Sequence, residues 1–117
     1  MIELLERIID DLYSIEGIDA CILYRIDGTP ILLRTPGFSE DILVVLAWLK
    51  KQICGVLKEM NKEGLSRAIF HFKDHKVLIA PSSKSTVLAA ILSPGAHQML
   101  TSIEIERITS EINRCVS

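Results

Sequence analysis

Thr86-Val87-Leu88-Ala89-Ala90-Ile91-Leu92 is apolar almost without alternation. A strand that leaves one face in water alternates polar and apolar residues, so this run predicts a central strand covered on both sides. Just upstream, residues 67–72 and 76–80 are two β-rich runs joined by the polar turn Lys73-Asp74-His75, which predicts a hairpin. Pro81-Ser82-Ser83-Lys84-Ser85 makes the loop into the central strand. A second hairpin is predicted earlier. Residues 20–26 read as a strand, and Asp27-Gly28 is the dipeptide that tolerates positive φ at both centres of a type I′ turn. Residues 29–34 then return antiparallel. Pro30 cannot donate to a ladder, so this return strand lies at an edge or turns its Pro30 nitrogen outward.

Three helices flank these strands. Ile2, Leu5, Ile9 and Leu12 recur at helical spacing, with Leu4, Ile8 and Ile15 beside them, and predict a helix over about residues 2–15 that stops at Gly17. The second covers about residues 40–61. Ser39 is its expected N-cap, Glu40 and Asp41 complement the macrodipole in its first turn, and Gly64 ends it. The third is read over about residues 95–115, with Pro94 as its entry signal. The alternative start is Thr101, whose spacing to Glu104 makes a capping box. Met99 or Leu100, Ile103, Ile105, Ile108, Ile112 and Val116 supply its apolar side. The order α-β-β-α-β-β-β-α predicts an α+β fold. Its five-stranded, mostly antiparallel sheet carries helices on both faces.

Composition bounds the function. A length of 117 residues predicts one domain over 1–117, with 49% apolar and 24% charged residues on the apolar-rich side of globular chains. Thirteen Lys plus Arg against fifteen Asp plus Glu give a net charge of −2, so no global field draws nucleic acid or anionic lipid. The longest apolar run, residues 42–49, is far short of the ~20 residues that span a bilayer. No membrane insertion is expected. An acidic N-terminus without a leader pattern predicts a cytoplasmic protein. Cys21, Cys54 and Cys115 are odd in number and scattered, and read as reduced, mostly buried small hydrophobes, with Cys115 alone accessible.

The second helix is the most informative element. Stepping about 100° per residue from Leu46, the residues Ile42, Leu49, Ile53, Val56 and Met60 fall within about 80° of it and define the face that covers the sheet. Val44, Trp48 and Gly55 fall at about 160–200°, where a solitary helix would carry charge. An exposed Trp and aliphatics beside a glycine describe an association surface. If residues 67–72 form an edge strand, that edge can pair with a second copy across a two-fold axis. The expected interface comprises Leu43, Val44, Ala47, Trp48, Lys51 and Gly55 on the helix, with Arg67, Ile69 and His71 on the strand.

The whole pattern resembles the roadblock / dynein light chain domain family, with a roadblock/profilin-like sheet. The residues that carry the resemblance are the hairpin from Ile18-Asp19-Ala20-Cys21 through Asp27-Gly28-Thr29-Pro30-Ile31 and the long helix after Phe38-Ser39. Ala90-Ile91-Leu92 leading into the helix with Glu104-Ile105-Glu106-Arg107-Ile108 completes it. The resemblance implies a homodimer joined through the second helix and third strand, acting as a scaffold or regulator that binds a Ras-like small GTPase. It implies no catalytic site. Ser93-Pro94-Gly95-Ala96 departs from the family's usual entry to the last helix.

Catalytic signatures are missing. Neither G-x-x-x-x-G-K-[ST] nor G-x-G-x-x-G occurs, so no phosphate loop is read and no cofactor is expected. His71, Asp74 and His75 straddle a turn and read as surface residues rather than as metal ligands. Ser82, Ser83 and Ser85 lack a nucleophile-elbow context, and His97 has no catalytic neighbour. Arg25, Arg34 and Arg67 read as solvated strand residues, although a positioned guanidinium can serve a partner GTPase in trans. The chain is therefore expected not to be an enzyme. The alternative function is a small-molecule-sensing or adaptor module on the same sheet.

Overall fold

The computed structural model describes residues 2–35, 40–64 and 66–116, with the backbone alone for 40–43, 63 and 98. Its elements are α1 (Ile2–Tyr13), β1 (Ile18–Arg25), β2 (Pro30–Arg34), α2 (Glu40–Glu63), β3 (Ala68–His71), β4 (Lys76–Pro81), β5 (Thr86–Leu92) and α3 (Gln98–Val116). The α+β order is the predicted one. Ser39, the expected cap of α2, lies outside the described residues.

The five strands form one antiparallel sheet in the order β2-β1-β5-β4-β3. β5 is the middle strand, and all seven of its residues are buried. Val87, Ala89 and Ile91 face α2, while Leu88, Ala90 and Leu92 face α1 and α3. Each large aliphatic side chain buried in this way contributes about 1.5–3 kcal/mol, which is why the strand tolerates no polar face. β2 and β3 are the two edges, the first of the two placements open to a strand that begins at Pro30.

On one face, α1 buries Leu5, Ile8, Ile9 and Leu12, and α3 buries Ile105, Ile108 and Ile112. α1 ends at Tyr13, two residues short of the expected stop, and Gly17 follows with φ +96°. The Gly17 carbonyl accepts the Ser93 N–H at 2.9 Å, and a Cβ on Gly17 would lie 2.8 Å from the Ala96 Cβ. The end of α1 and the approach to α3 are thus pressed together through a residue with no side chain. Arg34 reaches from β2 to Asp10 on α1 at 2.6 Å, across solvent-exposed surface where such pairs contribute little.

Three expectations need correction. The Asp27-Gly28 turn is not type I′, because Asp27 keeps a negative φ and only Gly28 is positive at +92°. The Gly28 N–H bonds the Arg25 carbonyl at 2.9 Å and the Arg25 N–H bonds the Thr29 carbonyl at 2.8 Å. This is the pattern of a three-residue loop with a bulged glycine, which absorbs one more residue than a two-residue turn. Secondly, α3 begins at Gln98, between the two predicted starts. His97 is its cap: Nδ1 accepts the Leu100 N–H at 3.3 Å and its carbonyl accepts the Thr101 N–H at 2.9 Å. Pro94 and Gly95 form a turn before the helix, and Thr101 is buried within it. Thirdly, Met99, Leu100 and Ile103 are 69%, 60% and 56% exposed instead of joining the apolar side of α3. The same holds for Ile2 and Leu4 on α1.

The Gly28 Cβ position would lie 2.9 Å from Ile53 Cγ2, beneath α2. Gly28→Ala combines positive φ with this overlap and is expected to lower unfolding free energy by about 1–3 kcal/mol in urea titrations. Unchanged stability would mean the hairpin tip is not pressed on α2. The Thr29 N–H, bonded to Asp27 Oδ1 at 3.0 Å, holds the Asp27 carboxyl below its ordinary value. A depressed folded-state pKa stabilises above the ordinary carboxylate range and is lost as pH falls through the depressed value. Asp27→Asn should remove this component of the acid-induced decline of the thermal midpoint, while parallel curves for the two proteins would contradict it.

Candidate interaction surface

α2 lies on the opposite sheet face from α1 and α3 and buries Val45, Leu49, Ile53 and Met60. Leu46 and Val56, placed in the covering stripe from sequence, are only half-buried, and the stripe is rotated from Leu46 toward Leu49 and Ile53 by about 40°. On the far side, Val44 is 69% exposed, and Ala47, Lys51 and Gly55 are also exposed. A Cβ on Gly55 would meet nothing within 4 Å, so the helix backbone is open to close approach there. The Leu43 side chain lies outside the described residues.

Trp48 departs from the reading that set it fully outward. It is half-buried, edge-on to Phe70 at 5.4 Å and to Phe72 at 5.2 Å, with ring planes at 67° and 79°. Edge-to-face rings at this spacing attract through their quadrupoles, which fixes Trp48 over the edge strand. An open groove of about 610 Å³ continues from this cluster between α2 and β3. Gln52, Gly55, Val56 and Glu59 form its helix side, and Ala68 and Phe70 its strand side, with Met60 at its base.

The strand residues singled out from sequence fall elsewhere. Side chains alternate across β3, so Ala68 and Phe70 pack beneath α2 while Ile69 packs in the cluster with α1 and α3. Arg67 follows Ile69 to that other face, where its guanidinium donates to the Ser102 carbonyl at 3.3 Å. His71, of the same parity, is exposed. Arg67, Ile69 and His71 therefore share an edge with α2 but no side-chain surface. Phe70 and Phe72 are the residues the sequence reading missed. Two aromatics at i and i+2, opposite a lone tryptophan that needs cover, were the available signal.

β3 bonds β4 along one side only, through Ala68↔Ile79 to His71↔Lys76, leaving its outer N–H and C=O groups without a sheet partner. Such an edge is a template for another strand. The other polar candidates are held in structural contacts. His75 lies 3.7 Å from Asp19, Arg25 lies 3.3 Å from Asp27, and Ser82 bonds Thr86 at 2.8 Å. Of the cysteines, Cys54, expected to be buried, is instead exposed on α2 and Cys115 is half-buried, while burial pushes the Cys21 thiol up to about 12, which keeps it protonated and unreactive at neutral pH. Among the described residues no group of three or more His, Cys, Asp or Glu could hold a metal ion, and no helix is long and apolar enough to cross a membrane.

The AF0774-like protein family matches residues 2–106. No curated protein matches the chain. Among solved structures, Myxococcus xanthus MglB superposes with a TM-score of 0.78 at 11% identity, over 95% of this chain and 93% of that one. MglC from Myxococcus xanthus gives 0.73 at 14% identity, covering 97% of each chain. A Roadblock/LC7 domain from Streptomyces avermitilis gives 0.68 at 11% identity, over 96% and 93%. At such identities the likeness is one of fold.

Trp48 is the chain's one tryptophan, so its emission reports the aromatic cluster directly. Phe72→Ala is expected to shift that emission to the red and to cost about 0.5–1.5 kcal/mol in urea unfolding. An unshifted spectrum would show that Phe72 does not order the indole.

Proposed function

This chain belongs to the AF0774-like protein family and has the roadblock/LC7 fold, and on that basis we propose that it is a non-catalytic regulator that pairs with a second copy of itself and binds a Ras-like small GTPase. The pairing runs through α2 and β3. Leu43, Val44, Ala47, Trp48, Lys51 and Gly55 supply the helix side, and the edge flanked by Arg67, Ile69 and His71 joins its symmetry mate as a continuous sheet. Phe70 and Phe72 add the aromatic anchor.

The observation that carries this reading is the half-exposed Trp48–Phe70–Phe72 cluster beside an edge strand that has no outer partner. Aromatic anchors at an open edge favour a partner that excludes water from both at once. One solved relative is described as MglB in a tetrameric arrangement, which supports assembly of copies on this fold. The GTPase half of the reading rests on the resemblance to the roadblock / dynein light chain domain family. With no phosphate loop of its own, the chain would receive nucleotide only as part of the partner. The setting proposed for this encounter is the cytoplasm.

Light scattering on the purified chain tests the pairing. The expected species is about 26 kDa, twice the chain mass of 13.1 kDa, as for a two-fold dimer. Val44→Asp leaves the protomer core untouched, because Val44 is 69% exposed, and should weaken the dimer at least about tenfold by burying an unpaired charge. A strict monomer would overturn the reading of α2. The partner is tested by adding a small GTPase from the same source, loaded with GDP or a GTP analogue. A gain in mass with one nucleotide state is expected, and a mass unchanged in both states would overturn the GTPase half.

A further inference from the structure

α2 has two flanks. The one toward β3 carries the association groove; the other borders a separate cavity of about 540 Å³ at the end of the sheet. We propose that this second cavity binds an amphipathic anion: a carboxylate or phosphate monoester carrying an apolar chain. The inference does not depend on the regulator reading, because it concerns a different surface of the chain.

The size falls within the ~300–1,000 Å³ of small-ligand pockets. Its charge is one-sided. Lys58 from α2 and Lys84 from the β4–β5 loop both line it, and no Asp or Glu does, in a chain whose acids outnumber its bases by fifteen to thirteen. Neither lysine makes an ion pair among the described residues. Asn61 and Ser83 add polar atoms beside them. Two ammonium groups that meet no carboxylate among the described residues make a site for one anionic head.

The rest of the lining is apolar. Half-buried Leu57 forms an oily wall backed by the buried Met60 and Val87, and Ile26 stands over it from the turn between β1 and β2. Ile26 is 53% exposed at a hairpin tip, a position where polar residues are the rule. An apolar chain in the cavity would cover it. The loop backbone on the cationic side is held in place before any ligand arrives. Ser83 Oγ accepts the Ser85 N–H at 3.2 Å and the Thr86 N–H at 3.1 Å, and shares a 2.6 Å bond with the Thr86 hydroxyl. These bonds fix the backbone that carries Lys84, so binding costs little loop ordering.

Octyl phosphate, octanoate, octanol and inorganic phosphate, each below its micelle concentration, are titrated into the ¹⁵N-labelled chain and followed by amide shifts. The expected result is saturable shifts at Ile26, Leu57 and Lys84 with octyl phosphate and octanoate, and binding at least about tenfold weaker for octanol and for phosphate alone. Lys58→Gln with Lys84→Gln, both exposed, should reduce octyl phosphate to the affinity of octanol. Absence of saturable shifts at these amides would overturn the proposal, as would equal binding by the double variant. Phosphate binding as tightly as octyl phosphate would overturn the apolar half of it.

Discussion

The structure depends on β5 being covered on both faces and bonded along both edges. β1 pairs with it from Ile18↔Leu92 to Arg25↔Thr86, and β4 pairs with it from Lys76↔Leu92 to Pro81↔Val87. Its backbone groups are thereby satisfied without water, and its side chains reach two separate cores. Because neither face can be left open, helices must lie on both sides of the sheet. α1 and α3 share one side, and α2 alone must cover the other.

That asymmetry shapes the surface of α2. A single helix about 10 Å across cannot cover five strands spaced about 4.8 Å apart, so the sheet beside it remains partly uncovered. Toward β3 the uncovered strip holds Ala68 and Phe70 and is bridged at one end by Trp48. Away from β3 the opening is bordered by Ile26 and Leu57, with Lys58 and Lys84 at the rim and the fully buried Val87 behind them. Met60 lies beneath the helix and lines both openings, and its flexible thioether adapts to either. The two candidate binding regions thus have one cause, a lone helix on a wide sheet.

Much of this architecture was legible along the chain. Residues 86–92 announced the central strand because their seven positions lack a polar phase, and Pro30 narrowed the return strand to an edge or an outward-turned nitrogen because it cannot donate to a ladder. Gly17 and Gly64 marked helix ends, and both adopt positive φ. Local geometry was less legible. Asp27-Gly28 suits a two-residue turn, yet the bonds of Arg25 to Gly28 and Thr29 select a longer loop. His97 as a cap was hidden because imidazole is an uncommon capping group, and the Pro94 signal three residues upstream was the stronger one.

The interaction surface was legible as a helix face and illegible as a set of contacts. Period alone determined that Val44 and Gly55 point away from the sheet, since a 3.6-residue repeat leaves them no other side. It also determined that residues 67–72 alternate, but not which parity meets α2, because a one-residue change of phase exchanges the two faces without altering the pattern. Only the packed sheet decided that Phe70 lies beneath α2 and Ile69 against α1 and α3. The cavity between Lys58 and Lys84 likewise joins residues far apart along the chain. Sequence determined the elements and their faces because these follow from near-neighbour spacing, whereas the meeting of distant side chains was decided by tertiary packing.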